Sequence, residues 1–453
     1  MPDISGYSAE IQSALKKAGA KIGDRVRIEK TEGFFEGLLM PKSQGAENTL
    51  IIKLDNGYNI GIAFEKGTKI KKVSVKEKEK RKITKLEKYK PDASKPTISI
   101  LTTGGTIASR IDYKTGAVTP LETPEELLTA VPELAGIANI KMRTVFQMAS
   151  DDIKAYHWIT LAQKIGDEIE SGVDGIIVTH GTDTMHYTSA ALSLMLQNLP
   201  IPVLIVGSQR SSDRGSSDAA MNLICAAQFI AKSDFSGISI CMHGSSSDQY
   251  CHVHQGTHVK KTHTTRRDTF RSIDVLPYAK VYPNGTIEFL RKNYLKKDKK
   301  RKPHIVDRYD DKVALVKIYP GFDYRILEFY EQQGYRGIIL EGTGLGHAPI
   351  NATDDATKDH PKLLETMKRM IANGIIIGMT SQCTYGKVNM NVYRPQRIMR
   401  EAGIIPLEMT PETALVKLGW SLAHTRDTEK AKQLLLKNVA GEFAERIDYE
   451  AFE

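Results

Sequence analysis

Short apolar runs separated by polar turns dominate the first part of the chain. Five such runs predict strands, at residues 26–28, 34–40, 50–54, 58–62 and 70–75. Asp55-Asn56-Gly57 is typical of a hairpin turn between the third and the fourth strand. An amphipathic period over residues 7–18 predicts a preceding helix that ends at Gly19. This pattern predicts a small N-terminal β-barrel, which could bind RNA or only a partner protein.

From Thr97 onward, compact apolar runs alternate with helical patterns. The predicted strands of a first unit lie at 98–102, 142–146, 175–179, 203–206 and 238–242, and its helices at 124–131, 156–170, 185–197 and 219–231. A second unit has predicted strands at 313–318, 337–340 and 374–379 and helices at 325–333, 361–372 and 411–420. Such alternation predicts α/β architecture, with two lobes of doubly wound parallel sheet.

The changes of pattern predict five segments along the chain. Residues 1–75 form the N-terminal helix and barrel, and residues 76–96 form a basic linker. Residues 97–290 form the first α/β lobe, residues 291–311 a basic inter-lobe linker, and residues 312–453 the second α/β lobe with a helical tail.

Composition narrows the class of protein. The 453 residues suffice for about three domains with their own cores. No run approaches the roughly 18 apolar residues of a membrane span, and the first residues do not resemble a secretory signal, so we expect a cytoplasmic protein without a membrane partner. The four cysteines, at 225, 241, 251 and 383, contain no C-x-x-C pair, which favours free thiols over a disulfide framework.

The formal net charge of +9 is concentrated in two segments. Lys66–Pro96 contains 13 basic and 4 acidic residues, and Arg291–Pro303 contains 8 basic and 1 acidic residue. Two basic segments on a mildly acidic body favour local attraction to a polyanion, whereas a solvated linker would have the same composition. Both interpretations stay open for the first segment.

Two Thr/Gly stretches follow predicted buried strands. Thr102-Thr103-Gly104-Gly105-Thr106-Ile107-Ala108 follows the strand at 98–102, and His180-Gly181-Thr182-Asp183-Thr184 follows the strand at 175–179. Carboxyl ends of parallel strands are where α/β sheets bind ligands. Neither stretch has the spacing of a phosphate-binding loop. Thr106 is therefore a candidate nucleophile, for which Thr182, Asp183 and a lysine from elsewhere could supply activation.

Together these stretches resemble the L-asparaginase/glutaminase family of bacterial and archaeal amidohydrolases. The resemblance extends from about Thr97 to Gly441 and implies an asparaginase-like two-lobed fold. It also implies acyl transfer from a side-chain amide, with Thr106 as nucleophile and ammonia as leaving group. Thr182 and Asp183 would be the second threonine and its carboxylate.

The resemblance also implies further site residues. Val259-Lys260-Lys261-Thr262-His263-Thr264-Thr265 is similar in register to the family's Val-Thr-Lys-Thr-Asn-Thr-Thr segment, which assigns the proton-accepting lysine to Lys261. Ser150-Asp151-Asp152 resembles the Ser-x-Asp segment that holds the substrate's α-carboxylate and α-amino group. Tyr113, on a loop at 111–118, would correspond to the mobile lid tyrosine.

Histidines and cysteines are concentrated between residues 241 and 263. Cys251-His252-Val253-His254 suggests a zinc site, but the spacing matches no structural zinc pattern. Because hydrolysis by a threonine needs no metal, the simpler interpretation is a set of loop histidines near the Lys261 segment. We expect no metal at this position.

Residues outside the Thr/Gly stretches point to one branch of the family. Residues 342–347 and 380–390, together with the N-terminal barrel, resemble an archaeal tRNA-dependent amidotransferase. That resemblance implies a heterotetramer with an E-type amidotransferase subunit that acts on Glu-tRNA(Gln). The resemblance to asparaginases implies a homodimer as the catalytic unit. The E-type partner would use ATP and Mg, and this chain would bind only the small-molecule amide donor, with no cofactor of its own.

Two other functions stay open from the sequence. A free-standing cytosolic L-asparaginase would have the same catalytic residues. A non-catalytic RNA-binding module on the same scaffold would need none of Thr106, Thr182, Asp183 or Lys261. The choice between glutamine and asparagine as donor is also open.

Overall fold

The computed structural model describes residues 4, 6–31, 33–40, 48–53, 59–73, 91–105, 107, 109–112, 117–120, 123–210 and 217–452. Three units follow one another along the chain: an N-terminal sheet, a large α/β lobe and a smaller α/β lobe. Within these ranges no helix is long and apolar enough to cross a membrane.

The N-terminal unit is one helix on a five-stranded antiparallel sheet. Its elements are α1 (Ala9–Lys17), β1 (Arg25–Lys30), β2 (Gly33–Leu39), β3 (Thr49–Lys53), β4 (Asn59–Ala63) and β5 (Lys69–Lys72), in the sheet order β4-β3-β2-β1-β5. Ile11 and Leu15 of α1 are buried against Val26 and Ile28 of β1. The predicted helix and five strands are confirmed, whereas closure into a barrel stays a prediction. The predicted turn at 55–57 and the linker residues 76–90 lie outside the described residues.

The first lobe alternates strands and helices as expected. Its strands are β6 (Thr97–Thr102), β7 (Ser109–Asp112), β8 (Ala117–Pro120), β9 (Asn139–Thr144), β10 (Gly175–Thr179), β11 (Leu196–Gln197), β12 (Pro202–Val206), β13 (Phe235–His243), β14 (Cys251–Gln255), β15 (Val259–Lys261), β16 (Phe270–Ser272), β17 (Ala279–Val281), β18 (Ile287–Phe289), β19 (Leu295–Lys296) and β20 (His304–Ile305). Its helices are α2 (Pro124–Ala130), α3 (Leu134–Ile137), α4 (Ala155–Glu170), α5 (Met185–Met195) and α6 (Ala219–Lys232).

The main sheet of this lobe is mixed. Its order is β18-β17-β14-β13-β12-β10-β6-β9, in which β13 to β9 are parallel and β14, β17 and β18 are antiparallel additions. The predicted parallel sheet is confirmed. The strand predicted at 142–146 lies instead at Asn139–Thr144, because Val145 and Phe146 pack on the neighbouring core after the strand has ended.

The second basic segment lies on the first lobe. β19 pairs with β13, and β20 pairs with β11. Arg301 donates hydrogen bonds to the carbonyl oxygens of Leu199 and Lys296, each at 2.9 Å. Arg301 is therefore held against the lobe surface, whereas Lys296 and Lys299 are 70% and 71% exposed.

The second lobe has a four-stranded parallel sheet in the order β21-β22-β23-β24. Its elements are β21 (Val313–Lys317), α7 (Arg325–Gln332), β22 (Gly337–Gly342), α8 (His360–Ala372), β23 (Ile376–Ser381), α9 (Arg394–Glu401), β24 (Ile405–Pro406), α10 (Pro411–His424) and α11 (Thr428–Leu436). The predicted second α/β unit is confirmed, and α11 lies where the helical tail was predicted, whereas α9 and β24 are elements that the sequence pattern did not predict.

Helix α10 joins the two lobes. Its Val416 and Trp420 belong to the hydrophobic cluster of the first lobe, whereas its Leu418 and Leu422 pack in the core of the second. One buried ion pair also fixes this helix: Lys417 contacts the carboxylate of Glu442, and both side chains are inaccessible to solvent. Burial lowers the pKa of Lys417, while Glu442 opposes that effect.

Loss of this buried carboxylate should weaken the structure. Glu442→Ala leaves the Lys417 ammonium without its anion and also removes the acceptor for the Val439 and Ala440 amides. We expect the free energy of unfolding to fall by about 3 kcal/mol in denaturant titration. Glu429→Ala removes an exposed pair with Lys432 and should cost less than about 1 kcal/mol. Equal costs in the two variants would contradict the assigned role of the buried pair.

Candidate functional site

Parallel pairing of β6 and β10 places the two Thr/Gly stretches side by side. Thr102, the last residue of β6, is opposite Thr179, the last residue of β10. Beyond the strand ends, the Thr103 amide and hydroxyl both donate to the Thr179 carbonyl oxygen, at 3.1 and 2.8 Å. The two stretches therefore begin from a common, buried anchor.

Gly104 and Gly105 allow the backbones beyond this anchor to approach closely. Both have a positive φ, +113° and +82°. An ideal Cβ on Gly104 would lie 2.2 Å from the Met148 carbonyl oxygen, and one on Gly105 would lie 3.0 Å from the Gly181 amide nitrogen. A side chain at either position would separate the backbones, which explains the need for glycine.

Lys261 contacts both polar residues of the second stretch. Its Nζ donates to Thr182 Oγ1 at 2.9 Å and to Asp183 Oδ1 at 2.6 Å. The lysine side chain is 11% exposed and Thr182 is buried, whereas the Asp183 side chain is 62% exposed. The structure thus brings together a hydroxyl, a carboxylate and an amine in a group that is open to solvent on the carboxylate side.

The hairpin of β15 and β16 delivers Lys261 to this position. Lys261 ends β15 and lies opposite Phe270 of β16. The connecting loop is fixed by the Asp268 carboxylate, which accepts hydrogen bonds from Arg266 at 2.8 Å and Arg271 at 2.9 Å. The hydrogen bond from Arg266 is the largest cause that lowers the pKa of Asp268, to about 2, and the charge of Arg271 adds to it. The carboxylate therefore stays charged at neutral pH.

Ser150, Asp151 and Asp152 form a 3-10 turn beside the same group. The Ser150 carbonyl oxygen accepts a hydrogen bond from Thr184 Oγ1 at 2.7 Å. Ser150 is buried against Gly181, whereas Asp151 and Asp152 are exposed. The structure therefore places the turn at the edge of the site, and its contacts with a substrate stay a prediction.

Thr106 and Tyr113 lie outside the described residues. On either side of Thr106, Gly105 approaches Gly181 and Ile107 is buried in the hydrophobic core. The backbones of β7 and β8, on either side of Tyr113, pair as an antiparallel hairpin. The roles of Thr106 as nucleophile and Tyr113 as lid residue remain predictions.

A buried polar chain that the sequence did not reveal supports the second stretch. Trp158 Nε1 donates to Thr188 Oγ1 at 3.0 Å, and that hydroxyl contacts His180 Nε2 at 2.9 Å. His180 Nδ1 lies 2.6 Å from the Gly181 carbonyl oxygen and must carry the proton there, because a carbonyl only accepts. Burial lowers the pKa of His180 to about 4, so the ring is a neutral positioning group at pH 7. The position of His180 at the start of the second Thr/Gly stretch was the only sign of this polar chain in the sequence.

With this geometry in place, comparison with known proteins identifies the family. Family models match residues 20–73 (GatD N-terminal domain), 97–295 (Asparaginase, N-terminal) and 312–435 (Glutaminase/Asparaginase C-terminal domain). The chain is 50% identical over 440 residues to the D-type subunit of the glutamyl-tRNA(Gln) amidotransferase of Pyrococcus furiosus, covering 95% of this chain and 97% of that protein. It is 43% identical to the protein of the same name from Methanopyrus kandleri, covering 97% and 95%.

The chain belongs to the family of D-type glutamyl-tRNA(Gln) amidotransferase subunits. Solved structures agree on the asparaginase-like fold. The thermostable L-asparaginase from Thermococcus kodakarensis aligns with a TM-score of 0.67 at 32% identity, and L-asparaginase I from Vibrio cholerae aligns with a TM-score of 0.67 at 27% identity. Each comparison covers 77% of this chain and 99% of the other. This family adds an N-terminal unit to the asparaginase-like lobes.

The prediction of loop histidines is wrong for His243, His252 and His254, which lie on strands β13 and β14. His243, His254 and His258 are buried, and His252 is half-buried. Cys241 and Cys251 are buried together with Cys225, and burial raises the pKa of the Cys251 thiol. His254 Nδ1 contacts Ser272 Oγ at 2.8 Å, and His258 Nε2 contacts the Gly441 carbonyl oxygen at 2.9 Å. Among the described residues, no group of three or more His, Cys, Asp or Glu side chains is arranged to hold a metal ion.

The close approach at Gly104 can be tested by substitution. Gly104→Ala combines a φ of +113° with a clash against Met148, whereas Gly172→Ala also has a positive φ, of +82°, but open space around it. Both should lose about 1 kcal/mol of stability through backbone strain, and Gly104→Ala should lose about 2 kcal/mol more in thermal or denaturant unfolding. Equal losses of stability in the two variants would show that the close approach of Gly104 to the Met148 backbone does not matter for stability.

Proposed function

We propose that this chain releases ammonia from the side-chain amide of glutamine, or of asparagine, for transamidation of Glu-tRNA(Gln) by a partner subunit. The observation that carries the proposal is the contact of Lys261 Nζ with Thr182 Oγ1 and Asp183 Oδ1, next to the Gly104-Gly105 turn. Family membership supports the same reaction class, because the relatives are named as subunits of a glutamyl-tRNA(Gln) amidotransferase.

The proposed chemistry is acyl transfer in two steps. The Thr106 hydroxyl oxygen forms a bond to the donor's amide carbon, and the carbon–nitrogen bond then breaks. The proton leaving the hydroxyl is taken up by Lys261 through Thr182 and is passed on to the departing nitrogen, which leaves as ammonia. Water then cleaves the ester and releases glutamate or aspartate. Asp183 stabilises the lysine ammonium while it carries the proton.

The amino-acid portion of the donor carries a carboxylate and an ammonium group. The largely exposed Asp183 carboxylate lies at the entrance to the group and can pair with the ammonium. Exposed Asp151 and Asp152 are further acidic candidates, and the neighbouring Ser150 side chain lies beside Gly181. Carboxylates at this rim favour a donor with a free α-amino group over a simple amide.

The remaining chemistry of the proposed reaction belongs to other chains. An E-type subunit would use ATP and Mg to activate the glutamate of Glu-tRNA(Gln), and this chain would form a homodimer within a heterotetramer in the cytoplasm. The N-terminal sheet and its basic extension would serve contact with the partner or the tRNA. We propose no cofactor for this chain, since threonine-based hydrolysis needs none.

The strongest alternative is a free-standing L-asparaginase. The aligned solved structures are named L-asparaginases and share the two lobes. However, relatives named as amidotransferase subunits match nearly the whole chain, including the N-terminal unit that the asparaginase structures lack. A non-catalytic module is less well supported, since it has no need for the Lys261 contacts.

Ammonium rescue would separate these functions. The assay measures conversion of labelled Glu-tRNA(Gln) by the reconstituted complex with glutamine, asparagine or ammonium chloride. Thr106→Ala and Lys261→Met should lose glutamine-driven conversion by at least about 1000-fold, because each removes part of the acyl-transfer machinery. Ammonium should restore both variants, because the partner's chemistry is intact. Thr160→Ala, on the surface helix α4, is the matched control and should behave like the wild type.

The outcomes of this assay are distinct. Undiminished glutamine-driven conversion by Thr106→Ala would refute the nucleophile assignment. A folded complex that ammonium does not rescue would refute the division of labour between the two kinds of chain. Fast asparagine hydrolysis by the isolated chain, with no response to the partner or tRNA, would favour the free-standing asparaginase.

A further inference from the structure

Two consecutive lysines end strand β15, and they contact different parts of the molecule. Lys261 Nζ contacts Thr182 and Asp183, as described above. Lys260 Nζ lies 2.7 Å from Glu412 Oε1, in the first turn of α10 in the second lobe. Successive side chains of a strand point to opposite faces, so the contact of one lysine determines the direction of the other.

Identical neighbours make the register of such a strand ambiguous. If β15 shifted by one residue against β16, Lys260 would take the direction that Lys261 has now. The strand has three residues, and its pairing with β16 continues through one backbone hydrogen bond on each side, from the Ile273 amide to the His258 carbonyl oxygen and from the Thr262 amide to the Thr269 carbonyl oxygen, each at 2.8 Å. Backbone hydrogen bonds of this kind do not distinguish one lysine from the other. A contact that accepts only one of the two lysines therefore helps to fix which amine enters the site.

Glu412 has the properties of such a contact. Its side chain is 9% exposed, whereas Lys260 is 26% exposed, so the carboxylate is the more deeply buried partner. A buried carboxylate without a cation is costly, by several kcal/mol in order of magnitude. Its Oε2 has no hydrogen-bond partner among the described residues, which leaves the ion pair with Lys260 as the contact that compensates its burial.

Helix α10 also holds the segments on both sides of the lysine contact. Thr413 Oγ1 donates to the Thr257 carbonyl oxygen at 2.9 Å, two residues before β15 begins. Val416 and Trp420 pack in the same hydrophobic cluster as Met185, the first residue of α5. Since α5 follows the stretch that contains Thr182 and Asp183, one helix of the second lobe supports both halves of the Lys261 contact.

We propose that Lys260 and Glu412 are positioning residues that fix the register of β15 and thereby hold Lys261 against Thr182. The pair touches no reacting atom and acts only through Lys261. The inference rests on the proposed function for its kinetic consequence, because Lys261 is assigned there as the proton carrier. Its geometric part can be tested without any catalytic activity.

A kinetic comparison tests the consequence for the reaction. Lys260→Met, Glu412→Gln and the double variant are compared for hydrolysis of the amide donor by the whole chain, in its complex where required. Each single variant should lose kcat by about 10-fold, and the double variant should lose no more than the singles, because all three break one interaction. KM should stay within about 2-fold, because donor-binding groups are unchanged.

A matched control and a conservative rescue separate positioning from general stability. Lys299 forms a 2.6 Å pair with Asp174, which precedes β10 at the end of the sheet opposite the site. Lys299→Met should leave kcat unchanged. Lys260→Arg keeps the cation and should retain most of the activity that Lys260→Met loses, although both replace the same lysine.

A labelling experiment reads the geometry directly. Brief treatment with acetic anhydride, followed by mass spectrometry of peptides cut at sites other than lysine, measures the reactivity of Lys261 in each folded variant. In the wild type Lys261 should react slowly, because it is mostly buried and bound to two oxygens. In Glu412→Gln its labelling rate should rise by about 5-fold or more, while that of the control lysine Lys299 should not change.

These results distinguish failure of the positioning role of Lys260 and Glu412 from failure of the proposed function. Unchanged Lys261 labelling in Glu412→Gln, or losses of kcat that add in the double variant, would overturn the positioning role. If the wild-type complex hydrolyses neither glutamine nor asparagine, the proposed function fails, and the labelling result still decides whether the pair holds Lys261 in place.

Discussion

The parallel pairing of β6 with β10 is the constraint on which the site depends. It aligns Thr102 with Thr179, so that two separate loops leave the sheet at the same level and in the same direction. The bonds from Thr103 to the Thr179 carbonyl oxygen continue that alignment past the strands, and Gly105 then lies against Gly181. The polar groups of the two Thr/Gly stretches can meet because the backbones that carry them are held side by side.

Strand β15, which carries Lys261, is held in place differently from β6 and β10. β15 is outside the main sheet and pairs only with β16 among the described residues, so the placement of Lys261 depends on neighbouring elements. Those elements are the loop fixed by Asp268 and the first turn of α10, with Glu412 and Thr413. A helix of the second lobe thus contributes to the placement of Lys261, whose partners Thr182 and Asp183 belong to the first lobe.

The sequence predicted the features that depend on residues close to one another along the chain. Apolar periods located nearly every parallel strand. The resemblance of residues 259–265 to the family's lysine segment selected Lys261 over Lys260, and it is Lys261 that contacts Thr182. Contacts between distant segments gave no such signal. The antiparallel strands β17 and β18 are three residues each, too short for a period to stand out, and Glu412 meets Lys260 only through packing of α10 on the first lobe.

The central claim is that one threonine of the first stretch attacks the donor amide with help from the Lys261 group. Acid quenching during turnover of a slow donor analogue, an amino-acid hydroxamate, followed by peptide mass spectrometry, would locate the covalent acyl group. The account predicts the acyl group on the peptide that contains Thr106, absent in Thr106→Val and with slower formation in Lys261→Met. An acyl group on Thr182, or an active enzyme with no acyl group on either threonine under conditions that trap the intermediate, would contradict it.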